Sequence, residues 1–302
     1  MANCWVWKID PVLLDIYGPL KIRWYGVMFL CTFVFGFIAF RWQWKRAGRD
    51  PEIAVDFIYW GFFGVLLGSW FGHRLFYEWD RVLRDPFYLI DVSKGLAGLA
   101  SHGATIGIIL AIILFARRYK LPVGEVFDRF TWTIPIGAIF VRSGNFFNSE
   151  IIGTKSTVPW AVCLPLADNN QLIPRHPSQL YEVLNGVVLL LILYLVDRAA
   201  GKEKRPIWLL TGTLFVGYFA LRFNVEFYKA HQTTLHGSLT MGHYLSIPFF
   251  LAGCVMIYWS LRHGRPTDEI VRETMAAAEA EAKRASQSKP SKPSKAKKRR
   301  KH

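Results

Sequence analysis

The sequence contains none of the short motifs that mark a metal hydrolase or a nucleotide-driven machine: no H-E-x-x-H, no G-x-x-x-x-G-K-S/T and no dinucleotide glycine pattern. Its four cysteines, Cys4, Cys31, Cys163 and Cys254, form no C-x-x-C pair, so zinc and thiol-redox motifs are absent too. Cys31 and Cys254 fall within apolar runs and read as packing residues. Cys4 and Cys163 are both expected outside the cell, where a disulfide can form, and the sequence leaves their pairing open. Residues Met1 to Asp10 lack a basic start followed by an apolar core, so no cleavable signal peptide is expected.

Acidic residues are scarce, 22 against 37 lysines and arginines, which gives a formal charge of +15. The excess is not evenly spread. From Gly264 onward there are twelve lysines and arginines and five acids, so about half of it sits in the last residues. Within that tail Glu269 to Arg284 is Ala/Glu-rich and reads as a surface helix, while Lys289 to His302 reads as disordered. Attraction to anionic lipid of the inner leaflet explains such a run more simply than nucleic acid does, and no nucleic-acid partner is expected. The plainest reading is a solvated basic tail.

Long apolar runs are abundant instead. With 52% hydrophobic and 16% aromatic residues and a mean hydropathy of +0.21, the chain is too apolar for an ordinary soluble domain. Seven runs each suit a helix of about 20 residues, the length that crosses a bilayer: residues 22–40, 53–77, 95–116, 130–147, 179–196, 207–227 and 241–261. The expected fold is therefore all-α, a bundle of seven transmembrane helices over residues 1–263, followed by the 264–302 tail. The connector after the first run carries Arg41, Lys45, Arg46 and Arg49; that after the third, Arg117, Arg118 and Lys120; that after the fifth, Arg198, Lys202, Lys204 and Arg205. Short basic connectors stay cytoplasmic, so the N-terminus is expected outside and the C-terminus inside. Gly61, Gly64, Gly68 and Gly72 make a stripe on the second run that lets another helix approach closely. Prolines 135, 159, 165, 174 and 177 punctuate the fourth run and the long connector after it, which is expected to form a small outside cap at about residues 148–178.

That orientation brings polar residues from distant segments to one depth. His102 starts the third run, Arg142 ends the fourth, Arg222 and Glu226 end the sixth, and Tyr25 starts the first. Tyr218, Arg222 and Glu226 are spaced i, i+4, i+8 on one helix face. Charged residues within a span are costly and by default mark a working site. Each also has a plainer role: Arg222 and Glu226 as a structural ion pair, His102 as a packed histidine, Arg142 snorkelling to headgroups, Tyr25 as an interfacial aromatic, Asn145 and Asn148 as helix-end caps or interhelical bonds. Two arginines at headgroup depth suit a phosphate, and a nearby histidine can accept a proton near neutral pH. The expected ligand is an anionic phospholipid entering sideways from the bilayer.

Several segments resemble the bacterial prolipoprotein diacylglyceryl transferases. They are Trp24-Tyr25-Gly26; Ser101-His102-Gly103 with Gly107; Arg142 with Gly144-Asn145-Phe146, Asn148, Glu150 and Gly153; Arg175-His176-Pro177-Ser178-Gln179-Leu180-Tyr181-Glu182; Tyr218, Arg222-Phe223 and Glu226-Phe227; and Met241-Gly242 with Leu245-Ser246-Ile247-Pro248. The resemblance runs from about Asp10 to Arg262 and implies a transferase of the bacterial cytoplasmic (inner) membrane, with its site towards the outer leaflet and no cofactor or metal. The implied reaction moves the diacylglyceryl group of phosphatidylglycerol to the lipobox cysteine of a prolipoprotein signal peptide and releases glycerol phosphate. His102, Arg142 and Arg222 are the implied catalytic residues, and Tyr25, Asn145, Asn148, Glu150, Gly153, Tyr218 and Glu226 the substrate-binding ones, with Glu226 holding Arg222. Against the family pattern, Ala104 stands for a glycine, Trp70 for an arginine, His243 for a glutamine and Lys229 for an arginine; Arg74, one turn beyond Trp70, is a candidate replacement for the missing charge. A paralogue with altered specificity or lost activity, or a lipid-binding or transporter-like protein, is the alternative. A transporter would spread its polar groups over both halves of the bilayer and often repeat internally, and neither pattern is seen.

Overall fold

The computed structural model describes residues 4–18, 20–91, 100–230 and 239–287. The expectations for Lys289 to His302 and for the first residues of the third run therefore fall outside the described residues.

The chain opens with β1 (Trp5–Val6) and a hairpin of β2 (Val12–Tyr17) and β3 (Leu20–Arg23). Nine helices of six residues or more reach to the end of the bundle among the described residues: α1 (Trp24–Arg46), α2 (Ile53–Tyr77), α3 (Trp79–Arg84), α4 (Ser101–Arg118), α5 (Val123–Phe130), α6 (Thr133–Phe147), α7 (Ser178–Ala199), α8 (Leu209–Glu226) and α9 (Met241–His263). The cap strands β4 (Val162–Cys163) and β5 (Pro174–Arg175) lie between α6 and α7, and α10 (Thr267–Gln287) follows α9. Four helices, α1, α2, α7 and α9, are long and apolar enough to cross a membrane by length and composition. Large apolar side chains such as Phe29, Leu30, Phe33, Leu191, Leu251 and Val255 point outward, as they do where the solvent is lipid. The hairpin is the main departure from an all-α expectation.

Neighbouring helices pair as α2 with α4, α1 with α6, α6 with α7, α7 with α8 and α8 with α9. The closest approach is between α2 and α4, which run antiparallel. A Cβ at Gly68 would stand 2.5 Å from the Gly103 carbonyl oxygen, and one at Gly64 would stand 2.8 Å from that of Gly107. Only glycine permits this backbone contact, which gains dispersion energy where lipid removes the hydrophobic drive. Ala104, beside Gly103, does not fill the contact and is half-buried.

One end of the bundle is tied by paired charges. Arg49 grips Glu125 through two bonds of 2.7 and 2.6 Å; Arg129 donates to Glu125 at 2.9 Å and to Glu203 at 3.1 Å; Arg46 and Arg205 share Asp197. Burial pushes the Glu203 carboxyl upward, but Arg129, Arg205 and Arg46 outweigh it and hold the group below its ordinary range. Asp128 accepts from Trp208 N, Thr211 N and Thr211 Oγ1 at 2.8, 2.9 and 2.6 Å, capping the start of α8 from another helix. α10 docks on this end: Thr267 donates to the Arg205 carbonyl, Arg49 donates to Thr274, and Lys120 pairs with Glu281. Helix therefore occupies 267–287, a longer and better docked stretch than a surface helix over 269–284.

At the other end, residues 148–177 cover the bundle. β1 pairs in parallel with β4, which pairs antiparallel with β5, and Cys4 is joined to Cys163 by a disulfide. Trp7, Phe146, Val162 and Leu164 form the core beneath this small sheet. The sequence left the Cys4–Cys163 pair open; the parallel β1–β4 register is what brings the two thiols together.

Candidate active site

Arg142 lies in the last turns of α6, aimed at the start of α7. Its Nε stands 3.0 Å from Glu182 Oε2, and its Nη1 donates to Asn145 Oδ1 at 3.3 Å. A relay follows: Asn145 Nδ2 donates to Glu150 Oε2 at 3.4 Å, and Asn148, the C-cap residue of α6, donates to Glu150 Oε1 at 3.1 Å. Gln179 fixes the Glu150 backbone and Ser178 that of Ile151. Tyr25, at the start of α1, packs against Gly144, where a Cβ would meet its ring at 2.9 Å. Gly153 runs so close to the His176 and Tyr228 carbonyls that no side chain fits, and it accepts from Arg175, itself clamped by Asp168.

The far oxygen of Glu182 accepts from Lys229 Nζ at 2.8 Å, and Lys229 also lies 3.6 Å from Glu226 Oε2. Glu226 Oε1 accepts from Thr240, whose backbone N–H donates to His243 Nδ1, and Glu226 lies tightly against Gly242 at the start of α9. This corrects the expectation that Glu226 holds Arg222. The i, i+4 spacing puts the two on one helix face, but Lys229 and Thr240 occupy the carboxylate, so the plainer ion-pair role falls with it. His243 and Thr240 form a capping box, in which an imidazole nitrogen does what a glutamine oxygen does elsewhere.

Arg222 is half-buried and, among the described residues, takes part in no ion pair or hydrogen bond. With Arg142, Glu182, Asn185 and Tyr218 it lines a cavity of about 30 Å³ between α6, α7 and α8, room for one or two waters. Asn185 donates to the Leu221 carbonyl there.

His102 is exposed in the first turn of α4, at the end of the α2–α4 pair opposite the Arg49 network, and among the described residues it makes no hydrogen bond or ion pair with the Arg142 cluster. Arg74 lies 3.7 Å over the Trp70 ring and donates to the Asp91 carbonyl, so it does not supply a charge to the cluster. A larger groove of about 600 Å³ between α2 and α4 is lined almost wholly by apolar and aromatic side chains, and its lining holds no acid, histidine, lysine or arginine to carry the chemistry. Glu182, Asn185 and Lys229 were not among the expected site residues. The signal for Glu182 and Asn185 was a carboxylate and an amide near the start of an apolar run.

The helices and the polar cluster define a helical membrane protein with arginines and carboxylates gathered at one end of its bundle. A family model described as prolipoprotein diacylglyceryl transferase matches residues 11–259. Phosphatidylglycerol--prolipoprotein diacylglyceryl transferases from Pseudoalteromonas atlantica, Vibrio cholerae and Nitrosomonas europaea are 37%, 39% and 36% identical over 90%, 87% and 86% of this chain and 97%, 96% and 93% of theirs. The chain belongs to the prolipoprotein diacylglyceryl transferase family, and it is a transferase.

Proposed function

We propose that this protein transfers the diacylglyceryl group of phosphatidylglycerol to the lipobox cysteine thiol of a prolipoprotein signal peptide. The observation that carries this reading is Arg222: a guanidinium with no partner among the described residues, lining the same cavity as Arg142, in a member of this family. Membranes tolerate a charge when something pairs it, so an arginine left open implies an anion that arrives. A phosphodiester fits two guanidinium forks. At rest the cavity is small, so entry of a headgroup requires the Arg142 and Arg222 side chains to swing aside.

In the reaction, the cysteine thiol passes its proton to His102 and its sulfur attacks the glycerol carbon that carries the phosphate. The carbon–oxygen bond breaks, a thioether forms and glycerol phosphate leaves with the electron pair. Arg142 and Arg222 stabilise the charge gathering on that phosphate, a contribution commonly worth 10²–10³ in rate per donor. His102 lies outside the arginine cavity, which suits a base that meets the peptide while the arginines hold the lipid. Asn145, Asn148 and Glu150 orient Arg142; Tyr25 and Tyr218 wall the site; Gly153 fixes the cap against α8.

We also propose seven crossings of the bacterial inner membrane, with the N-terminus outside and the site towards the outer leaflet. The basic connectors near Arg46, Arg118 and Arg198 support this, as does the Cys4–Cys163 disulfide, since such bonds persist in oxidising compartments. The test is to incubate purified protein with labelled phosphatidylglycerol and a lipobox peptide. Lipidated peptide and glycerol phosphate are expected, and both should vanish in folded His102→Ala and Arg142→Ala variants. Normal turnover in both variants would refute the site assignment. Wild-type protein that binds phospholipid without any turnover would favour a lipid-binding protein.

A further inference from the structure

Glu182 is the one acid of the cluster that faces the cavity with an oxygen in reserve. Its Oε1 is committed to Lys229 at 2.8 Å. Its Oε2 is buried, lies 3.0 Å from Arg142 Nε without the alignment of a hydrogen bond, and has no donor among the described residues. Both Arg142 and Arg222 line the same small space, so whatever anion they hold is delivered beside that oxygen.

A carboxylate placed against an anion site weakens anion binding by simple repulsion. Such a group persists in a binding cavity when it does something else for the ligand. A buried oxygen with an unused lone pair costs free energy until a donor satisfies it. The surrounding groups, Arg142, Arg222 and Lys229, repel an ammonium donor. A neutral hydroxyl therefore fits best. In a phosphodiester held by the two arginines, that hydroxyl belongs on the small alcohol esterified to the phosphate, four or five bonds from phosphorus.

We infer that Glu182 is a specificity-determining residue that reads a hydroxyl on the headgroup alcohol of the bound phospholipid, through Oε2. This rests on the phosphodiester reading of the Arg142–Arg222 cavity. It explains why a carboxylate sits there: it exchanges some general anion affinity for discrimination. A site that hydrogen-bonds a substrate hydroxyl rejects the analogue lacking it far more strongly than an apolar pocket rejects a missing methylene. Lys229 sets the geometry by holding the opposite oxygen, and Asn185, bonded to the Leu221 carbonyl, closes the wall behind it.

The experiment compares three monoanionic phospholipids with identical acyl chains: phosphatidylglycerol, phosphatidyl-hydroxyethanol with a single hydroxyl, and phosphatidylethanol with none. Binding to the full-length protein is measured by competition in mixed micelles on a phosphatidylcholine background. The wild-type protein is expected to bind the two hydroxylated lipids at least tenfold more tightly than phosphatidylethanol. In Glu182→Ala that preference should fall below threefold while phosphatidylethanol binding tightens, because the arginines remain and the carboxylate that repels the phosphate is gone. Glu182→Gln removes the same charge but retains an acceptor oxygen, and the preference should survive in it. A wild-type protein without the preference overturns the inference whether or not either variant folds, and so does a preference that persists in Glu182→Ala. If none of the three anionic lipids outcompetes phosphatidylcholine, the phosphodiester reading itself fails.

Discussion

Removing the Lys229 ammonium should destabilise the folded protein far more than a surface lysine would. Lys229 is 7% exposed and lies 2.8 Å from Glu182 and 3.6 Å from Glu226, both largely buried. At an effective dielectric of about 20 those separations correspond to roughly 6 and 5 kcal/mol of gross attraction. Much of that offsets desolvation of the three groups, and the cost of breaking one partner of a buried pair settles at about 3–5 kcal/mol. We take the lower end, about 3 kcal/mol, for Lys229→Met, because Thr240 continues to support Glu226. Reversible unfolding in mixed micelles with increasing dodecyl sulfate measures it. The double variant Lys229→Met/Glu182→Gln removes the orphaned carboxylate and should recover at least about 1.5 kcal/mol, a coupling typical of contacting charges. Lys229→Arg should stay within about 1 kcal/mol of wild type, since a buried ion pair with an intact cation avoids the orphan penalty. The same Lys229→Met change frees Glu182 to hold Arg142 more firmly, so transfer should show a raised KM for phosphatidylglycerol. A cost under about 1 kcal/mol for the single variant, or strict additivity in the double, would refute the reasoning that Lys229 neutralises both acids.

Three further outcomes follow from the packing. Gly68→Val would drive a side chain into the Gly103 carbonyl and should destabilise α2 against α4 by about 1–3 kcal/mol, read by the same unfolding assay, while Gly26→Ala, with open space around it, should not. Asp128→Ala leaves Trp208 N, Thr211 N and the Thr211 hydroxyl without their acceptor; hydrogen exchange should quicken in the first turn of α8 before the rest of the helix, by an amount equivalent to about 2 kcal/mol. Cys4→Ser releases β1 from β4, so limited proteolysis should cut the first ten residues readily in the variant and in the reduced wild type but not in the oxidised wild type.

The helices were legible because apolar runs of the right length have few other uses, and each expected run of the bundle coincides with a helix over its described residues. The α2–α4 contact was legible from one glycine stripe. The β2–β3 hairpin was not, although Val12, Ile16 and Tyr17 favour strand, because Leu13, Leu14 and Ile16 place apolar groups on both faces and remove the alternation that marks a half-buried strand. The break between α5 and α6 at Thr131 and Trp132 carries no proline or glycine and falls at the edge of the expected 130–147 run, so α5, with its charged Glu125, Asp128 and Arg129, was not foreseen as a helix. At the site, spacing located Arg142, Arg222 and Glu226 at one end but gave the wrong partner for Glu226. Helical periodicity tells which residues share a face, whereas the partner came from Lys229, just beyond the helix, and from Thr240, fourteen residues away.

The two ends of the bundle treat arginine in opposite ways, and that contrast separates structure from chemistry better than either end does alone. Around Arg49, Arg46, Arg129 and Arg205 every guanidinium meets at least one carboxylate, and several meet two; charges arranged like this hold helix ends in register and are already compensated within the chain. At the opposite end Glu182 and Glu226 are drawn towards Lys229, Arg142 is contacted by a carboxylate without full hydrogen-bond geometry, and Arg222 has none among the described residues. If the second cluster were only another helix fastener, Glu226 would turn to Arg222, four residues away on its own helix. Its binding to Lys229 and Thr240 leaves Arg222 with no carboxylate among the described residues, and a cation placed like this between helices suits the incoming anion proposed above.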